Sequence, residues 1–159
     1  MSKFTHINKK GLPGMVNVSE KNVTKRRAEA RTEMFLGKEI MSHFEATDIQ
    51  TKKGAVFQTA IIAGTMAVKQ TSNLIPLCHP LQISGVDINI AILDEENIEI
   101  LCAVEISGKT GVEMEALTGA TLTALTIYDM CKAFGQHMII KNTRLVEKTG
   151  GKTDLLKNK

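Results

Sequence analysis

The segment Val86 to Ile106, VDINIAILDEENIEILCAVEI, sets the fold class. Val86, Ile88, Ile90 and Ile92 alternate with Asp87, Asn89 and Ala91, and after DEEN the residues Ile98, Ile100, Cys102, Val104 and Ile106 alternate again. A period of two puts each apolar set on one face of a strand, so the segment reads as a β-hairpin with a four-residue loop. The next stretch can cover such a sheet. From Gly108 to Lys132, GKTGVEMEALTGATLTALTIYDMCK, the residues Leu117, Ala120, Ala124, Ile127 and Cys131, with Phe134 beyond, recur at steps of three and four, the spacing of one helix face. Glu113 and Glu115 in its first turns and Asp129 and Lys132 in its last are more than a packing helix requires. Gly119, Ala120 and Ala124 would admit a close backbone, and Gly119 costs helix stability of about 1 kcal/mol relative to Ala.

Upstream, Ala28 to Leu36 alternates small or apolar residues with Glu29, Arg31 and Glu33, which predicts a half-exposed strand ending at Gly37, with helix as the rival reading. A short helix is expected at Lys38 to Ala46. Between Lys53 and Asn73, Phe57, Ile61, Gly64 and Val68 mark a second long helix, ended by the prolines of LIPLCHP (Leu74 to Pro80). Downstream, Met138 to Val146 alternates weakly as a last strand. The order matches an α+β, ferredoxin-like βαββαβ sandwich with its helices on one face of an antiparallel sheet. Residues 1–20 have no period and read as a flexible arm, leaving 21–159 as a single α+β domain expected to carry the catalytic site. The long helix is less polar than a one-sided surface helix, which points to burial in a subunit interface as well.

A net charge of +3 is too small to argue for nucleic acid, and one Tyr, five Phe and no Trp leave little for base stacking. Three widely spaced cysteines without CxxC disfavour a disulfide framework or structural zinc. The start MSKFTHINKK has no apolar signal region, and no apolar run approaches the about 20 residues a membrane helix needs. A reduced, cytoplasmic protein is expected.

Gly-Lys-Thr occurs at Gly108 and at Gly151, but a phosphate loop needs a glycine five positions earlier, where Ala103 and Val146 stand. What remains is the start of the long helix as an anion site, weighed against simple capping with Glu113 and Glu115 already there. His79, held extended before Pro80, suits ligand contact or proton transfer better than a metal, for which Cys78 and His79 lack partner spacing. Asp129 and Lys132 share a helix face as a surface ion pair or an acid–base pair. From Glu115 to Asp129 is 129 − 115 = 14 residues, about 21 Å along a straight helix. Either the two ends serve different purposes or a site is assembled between copies of the chain. Arg26, Arg27, Lys52, Lys53, Lys69, Lys148 and Lys152 form a phosphate cradle only if several converge.

The motifs LIPLCHP, KTGVEMEALT (Lys109 to Thr118) and LTIYDMCKA (Leu125 to Ala133), with KGAVF (Lys53 to Phe57), THIN (Thr5 to Asn8) and KTGGK (Lys148 to Lys152), resemble the molybdenum cofactor biosynthesis protein C family, the cyclic pyranopterin monophosphate synthases. The resemblance implies a ferredoxin-like fold and a homohexamer, a trimer of dimers with sites between subunits. The implied reaction rearranges a cyclised dihydro-GTP, the product of a preceding radical enzyme, to cyclic pyranopterin monophosphate with release of pyrophosphate. It implies no metal or redox cofactor and leaves open a contact with the preceding enzyme, while the composition above speaks against nucleic acid and membrane as partners. By the same resemblance Asp129, Lys132 and Lys53 are catalytic, and Leu77, Cys78, His79, Glu113, Met114, Glu115, Arg26, Lys69, Lys148 and Lys152 bind substrate. Either Arg26 or Arg27 fits the site arginine. Thr153 and Asp154 replace the family's usual Ser-Gly after GGK. The alternative is a non-catalytic nucleotide- or pterin-binding accessory protein, whose signature would be loss of Asp129, Lys132 and Lys53.

Overall fold

The structure, a computed structural model, describes residues 11–156. THIN and the first half of the arm lie outside them. The elements run β1 (Thr24–Phe35), α1 (Lys38–Met41), β2 (Phe44–Glu45), β3 (Asp48–Thr51), β4 (Gly54–Ala55), α2 (Val56–Leu74), β5 (Gly85–Ile92), β6 (Asn97–Gly108), α3 (Glu113–Cys131), β7 (Ile139–Ile140) and β8 (Arg144–Thr149). The main sheet is ordered β5-β6-β1, with β7 and β8 both on the far edge of β1, and every pairing is antiparallel. With β1, β5, β6 and β8 as strands and α2 and α3 as helices, this is the α+β, ferredoxin-like βαββαβ arrangement that the alternation indicates.

The period of two decides which face each residue takes. Ala28, Ala30, Thr32 and Met34 of β1 stand opposite Val104, Cys102, Ile100 and Ile98 of β6, and all eight are fully buried beneath the helices. The intervening positions carry charge to the other face. There Arg27 pairs with Glu29 (2.9 Å), Glu105 (3.4 Å) and Glu147 (2.5 Å), and Arg31 pairs with Glu33 (3.1 Å) and Glu99. The pairs to Glu105, Glu147 and Glu99 cross between strands and help to hold this charged face together, while those to Glu29 and Glu33 run along β1 itself.

The helices lie antiparallel, since Gly64 of α2 meets Gly119 and Thr123 of α3 while Val68 meets Gly119. A Cβ at Gly119 would sit 2.5 Å from Cys102 Sγ and 2.7 Å from Val68 Cγ2. The small residue thus permits the close approach expected at Gly119, made here by α2 and β6 of the same chain. Burial pushes the Cys102 thiol up to about 12 and the Cys131 thiol up to about 11, leaving both as packing groups.

Several boundaries differ from expectation, and β1 begins at Thr24 rather than Ala28, since Thr24 already pairs with Gly108 of β6. The helix over Lys38 to Ala46 stops at Met41, because Phe44–Glu45 pairs with Asp48–Ile49 around a turn at Ala46, whose φ is 54°. The helix expected from Lys53 begins at Val56, since Lys52 and Lys53 form the connection between β3 and β4 and Gly54 has φ 108°. The helix read from Gly108 begins at Glu113, because Gly108 still pairs with Thr24 as the end of β6. The last strand is split: β7 pairs only with Met34 and Phe35, and β8 reaches Thr149 through a register shift between Glu29 and Ala30.

Candidate active site

The β3–β4 connection delivers Lys53 to the end of α3. Its ammonium donates to Asp129 Oδ2 at 3.1 Å and to the Asp129 carbonyl at 3.3 Å, while Lys132 donates to Asp129 Oδ1 at 2.7 Å. All three side chains are more than half exposed. Hydrogen bonds from Lys132 and then Lys53 hold the Asp129 carboxyl below the usual carboxylate range, and the bond to Asp129 in turn raises Lys132. Asp129 is therefore an ionised clamp on two ammonium groups. Such a triad can hand protons to a bound molecule through either lysine.

A second cluster surrounds the other end of α3. Leu77, Cys78 and His79, from the segment after α2, line a cleft of about 270 Å³ with Glu113, Met114 and Glu115. Val16 and Val18 line it as well, and the Val16 carbonyl lies 2.8 Å from His79 Nε2. Lys109 fastens the same strap by donating to the Ser19 carbonyl at 2.5 Å. Glu115 is buried at 4% exposure, and burial first, then the neighbouring Glu113 charge, push its carboxyl up. Burial and Glu115 push the Cys78 thiol up as well, which favours the neutral thiol over the thiolate.

An adjoining cleft of about 150 Å³ shares Lys21, Thr110, Gly111 and Glu113 with the first and is lined further by Arg26, Lys148 and Lys152. Strand parity separates the two arginines. Arg26 turns to the cleft, donating to the carbonyls of Gly108 (3.4 Å) and Lys109 (3.5 Å), whereas the Arg27 guanidinium is taken by three carboxylates on the open face. Lys148 donates to Glu113 at 3.4 Å. Convergent cations beside the first turn of a helix make an anion cradle.

Twelve of the thirteen residues marked by the resemblance thus fall in two groups, at opposite ends of α3. The exception is Lys69, exposed on α2 and lining neither cleft, 69 − 56 = 13 residues beyond Val56 and so about 20 Å along the helix. Lys21 and Lys109 were not singled out from the sequence. Lys21 sits in an aperiodic stretch, and Lys109, although inside a quoted motif, gave no sign of which way it points. Among the described residues no three His, Cys, Asp or Glu side chains are grouped so as to hold a metal ion, and no helix is long and apolar enough to cross a membrane.

Comparison with known proteins gives this geometry a context. Residues 15–151 match the model of the MoaC family. The chain is 46% identical over 154 residues to the cyclic pyranopterin monophosphate synthase of Xanthomonas campestris pv. campestris, covering 97% of this chain and 93% of that protein. It is 49% identical over 157 residues to the enzyme of the same name from Staphylococcus haemolyticus, covering 96% and 97%. It is also 48% identical to Molybdenum cofactor biosynthesis protein 1 of Dictyostelium discoideum, of which it spans 27%, and 53% identical to the Molybdenum cofactor biosynthesis bifunctional protein of a Synechocystis strain, of which it spans 45%.

Proposed function

The chain belongs to the MoaC family, and we propose from this that it is a cyclic pyranopterin monophosphate synthase acting early in molybdenum cofactor biosynthesis. The observation that carries the reading is near-full-length identity of 46–49% to relatives of that name, joined to the presence in this chain of Lys53, Asp129 and Lys132 as a hydrogen-bonded triad. In the reaction, a lyase step, cyclised dihydro-GTP is rearranged to the pyranopterin bearing a cyclic phosphate, and pyrophosphate departs.

The chemistry needs three things from the protein. The triphosphate has to be neutralised, protons have to move at the ring and sugar, and the leaving pyrophosphate has to be stabilised. Arg26, Lys148 and Lys152 with His79 hold the phosphates. Glu113 and Glu115 orient the ring. Lys132 and Lys53 transfer protons, with Asp129 fixing both.

The about 21 Å between the two ends of α3 argues that one complete site takes its halves from different subunits of a trimer of dimers. Exposed Ile62, Met66 and Leu125 on the outer sides of α2 and α3 supply apolar surface for such an assembly. The enzyme works in the cytoplasm, where it receives its substrate from the preceding radical enzyme. Incubating the purified protein with cyclised dihydro-GTP tests the reading: pyrophosphate and the pyranopterin should appear together. A correctly assembled protein that leaves the intermediate untouched would reduce it to a binding role.

A further inference from the structure

Lys53 is exposed, and its turn is only two residues long, so something else must fix where its ammonium points. The hairpin is braced internally: Thr51 Oγ1 accepts the Lys53 N–H at 3.0 Å and donates to the Gly54 carbonyl at 3.0 Å. This does not fix the hairpin against the rest of the protein. α2 begins directly after β4, and its N-cap is Ala55, which has no side chain able to receive the free N–H groups of the first turn. Asp48, at the start of β3, supplies that acceptor from outside the helix. Its Oδ1 accepts the N–H of Phe57 at 2.7 Å and of Ile49 at 2.7 Å, and its Oδ2 accepts the N–H of Gln58 at 3.0 Å. The residue is buried at 5% exposure.

One carboxylate therefore ties the strand leading into the Lys53 turn to the helix leading out of it. The far end of the chain of contacts is also fixed, because α2 crosses α3 at Gly64 and Gly119, and α3 carries Asp129. We propose that Asp48 is a positioning residue for catalysis: by binding the first turn of α2 and its own strand at once, it sets the reach of Lys53 to Asp129. Asp48 is buried, with both carboxylate oxygens occupied by backbone N–H groups. Its action is through the hairpin, and the inference rests on the synthase reading above.

The side chain has to be a carboxylate for this. Three N–H groups are accepted by two oxygens, and Asn would keep Oδ1 with its two bonds but turn an amide N–H₂ toward the Gln58 N–H. Ala would release all three. Displacement of a reacting group by about 1 Å can cost on the order of 100-fold in rate. Steady-state turnover of cyclised dihydro-GTP by Asp48→Asn and Asp48→Ala, with melting temperature recorded beside it, is the test. The expected result is an ordered loss of kcat, about tenfold for Asn and about 100-fold for Ala, with KM within about twofold because Asp48 bonds to Ile49, Phe57 and Gln58 and to none of the groups assigned to phosphate.

If Asp48 were only a helix cap, both variants would melt earlier while kcat per folded subunit stayed at the wild-type value, and the proposal would be overturned. Should the Ala variant fail to fold, the Asn variant decides alone: kcat unchanged refutes, kcat lowered at constant KM supports. A wild-type protein without turnover would be a different failure, removing the synthase reading and this inference with it.

Discussion

Replacing Gly64 by Ala would test whether the helix crossing is as tight as it is described. A Cβ there would overlap the Thr123 hydroxyl, lie 2.8 Å from Ile88 Cδ1 and lie 3.1 Å from the Gly119 carbonyl oxygen. The isoleucine tip can turn aside. The carbonyl is backbone and cannot, and Thr123 is fully buried with its hydroxyl bonded to that same carbonyl at 2.8 Å. Overpacking of this kind costs about 1–3 kcal/mol, and losing the Thr123 hydrogen bond costs about 1 kcal/mol more. Against this, Ala favours a helix over Gly by about 1 kcal/mol. The net is a destabilisation of about 1–3 kcal/mol, or a fall in melting temperature of about 3–10 °C for a chain of this size. Gly14→Ala is the control, since a Cβ at Gly14 meets nothing within 4 Å. Thermal unfolding followed by circular dichroism gives both numbers. A Gly64→Ala protein melting at or above the wild-type temperature would refute the close crossing, and with it the rigid link from Lys53 across to Asp129.

The acid–base assignment predicts that Asp129→Asn and Lys132→Ala each lower kcat by about 100-fold or more, the range of a positioned proton-transfer group, with the melting temperature little changed because both residues are exposed; steady-state assays and thermal melts check the two halves together. Glu115 makes a prediction with a sign. Its folded-state pKa is raised, so the unfolded chain releases the proton first as pH rises, and stability is lost between the ordinary carboxylate pKa and the raised value. Glu115→Gln should therefore melt higher than the wild type at pH 8, with the gain shrinking toward pH 4. An equal difference at both pH values would contradict a carboxyl pushed up by burial.

Much of this was legible in advance. The hairpin around DEEN and the two long helices show in the sequence because eight to nineteen residues are enough for a period to appear. The small β2–β3–β4 sheet is built of two- to four-residue strands, too short for any period, and was read partly as helix. Long-range register is equally invisible: nothing in Arg26 and Arg27 says which faces the helices until β1 is paired with β6. Asp48 escaped for a related reason. A cap is sought just before its helix, and here it arrives from across a hairpin, with Ala55 at the usual position. The site residues were legible as a set through their motifs, whereas their division between the two ends of α3 followed from arithmetic on one helix. Lys69 stayed outside both groups, because it belongs to none of the quoted motifs and its position on α2 brings it to neither cleft.

The central claim is that the two ends of α3 complete each other between subunits, and complementation measures it most directly. His79→Ala disables the phosphate end and Lys132→Ala the proton-transfer end. Unfolded together and refolded as mixed assemblies, the two inactive proteins should recover turnover of cyclised dihydro-GTP to about a quarter of the wild-type rate, the share of shared sites that receives both intact halves. If the mixed assemblies are no more active than either variant alone, each site lies within one chain, and the account of a site shared between subunits is wrong.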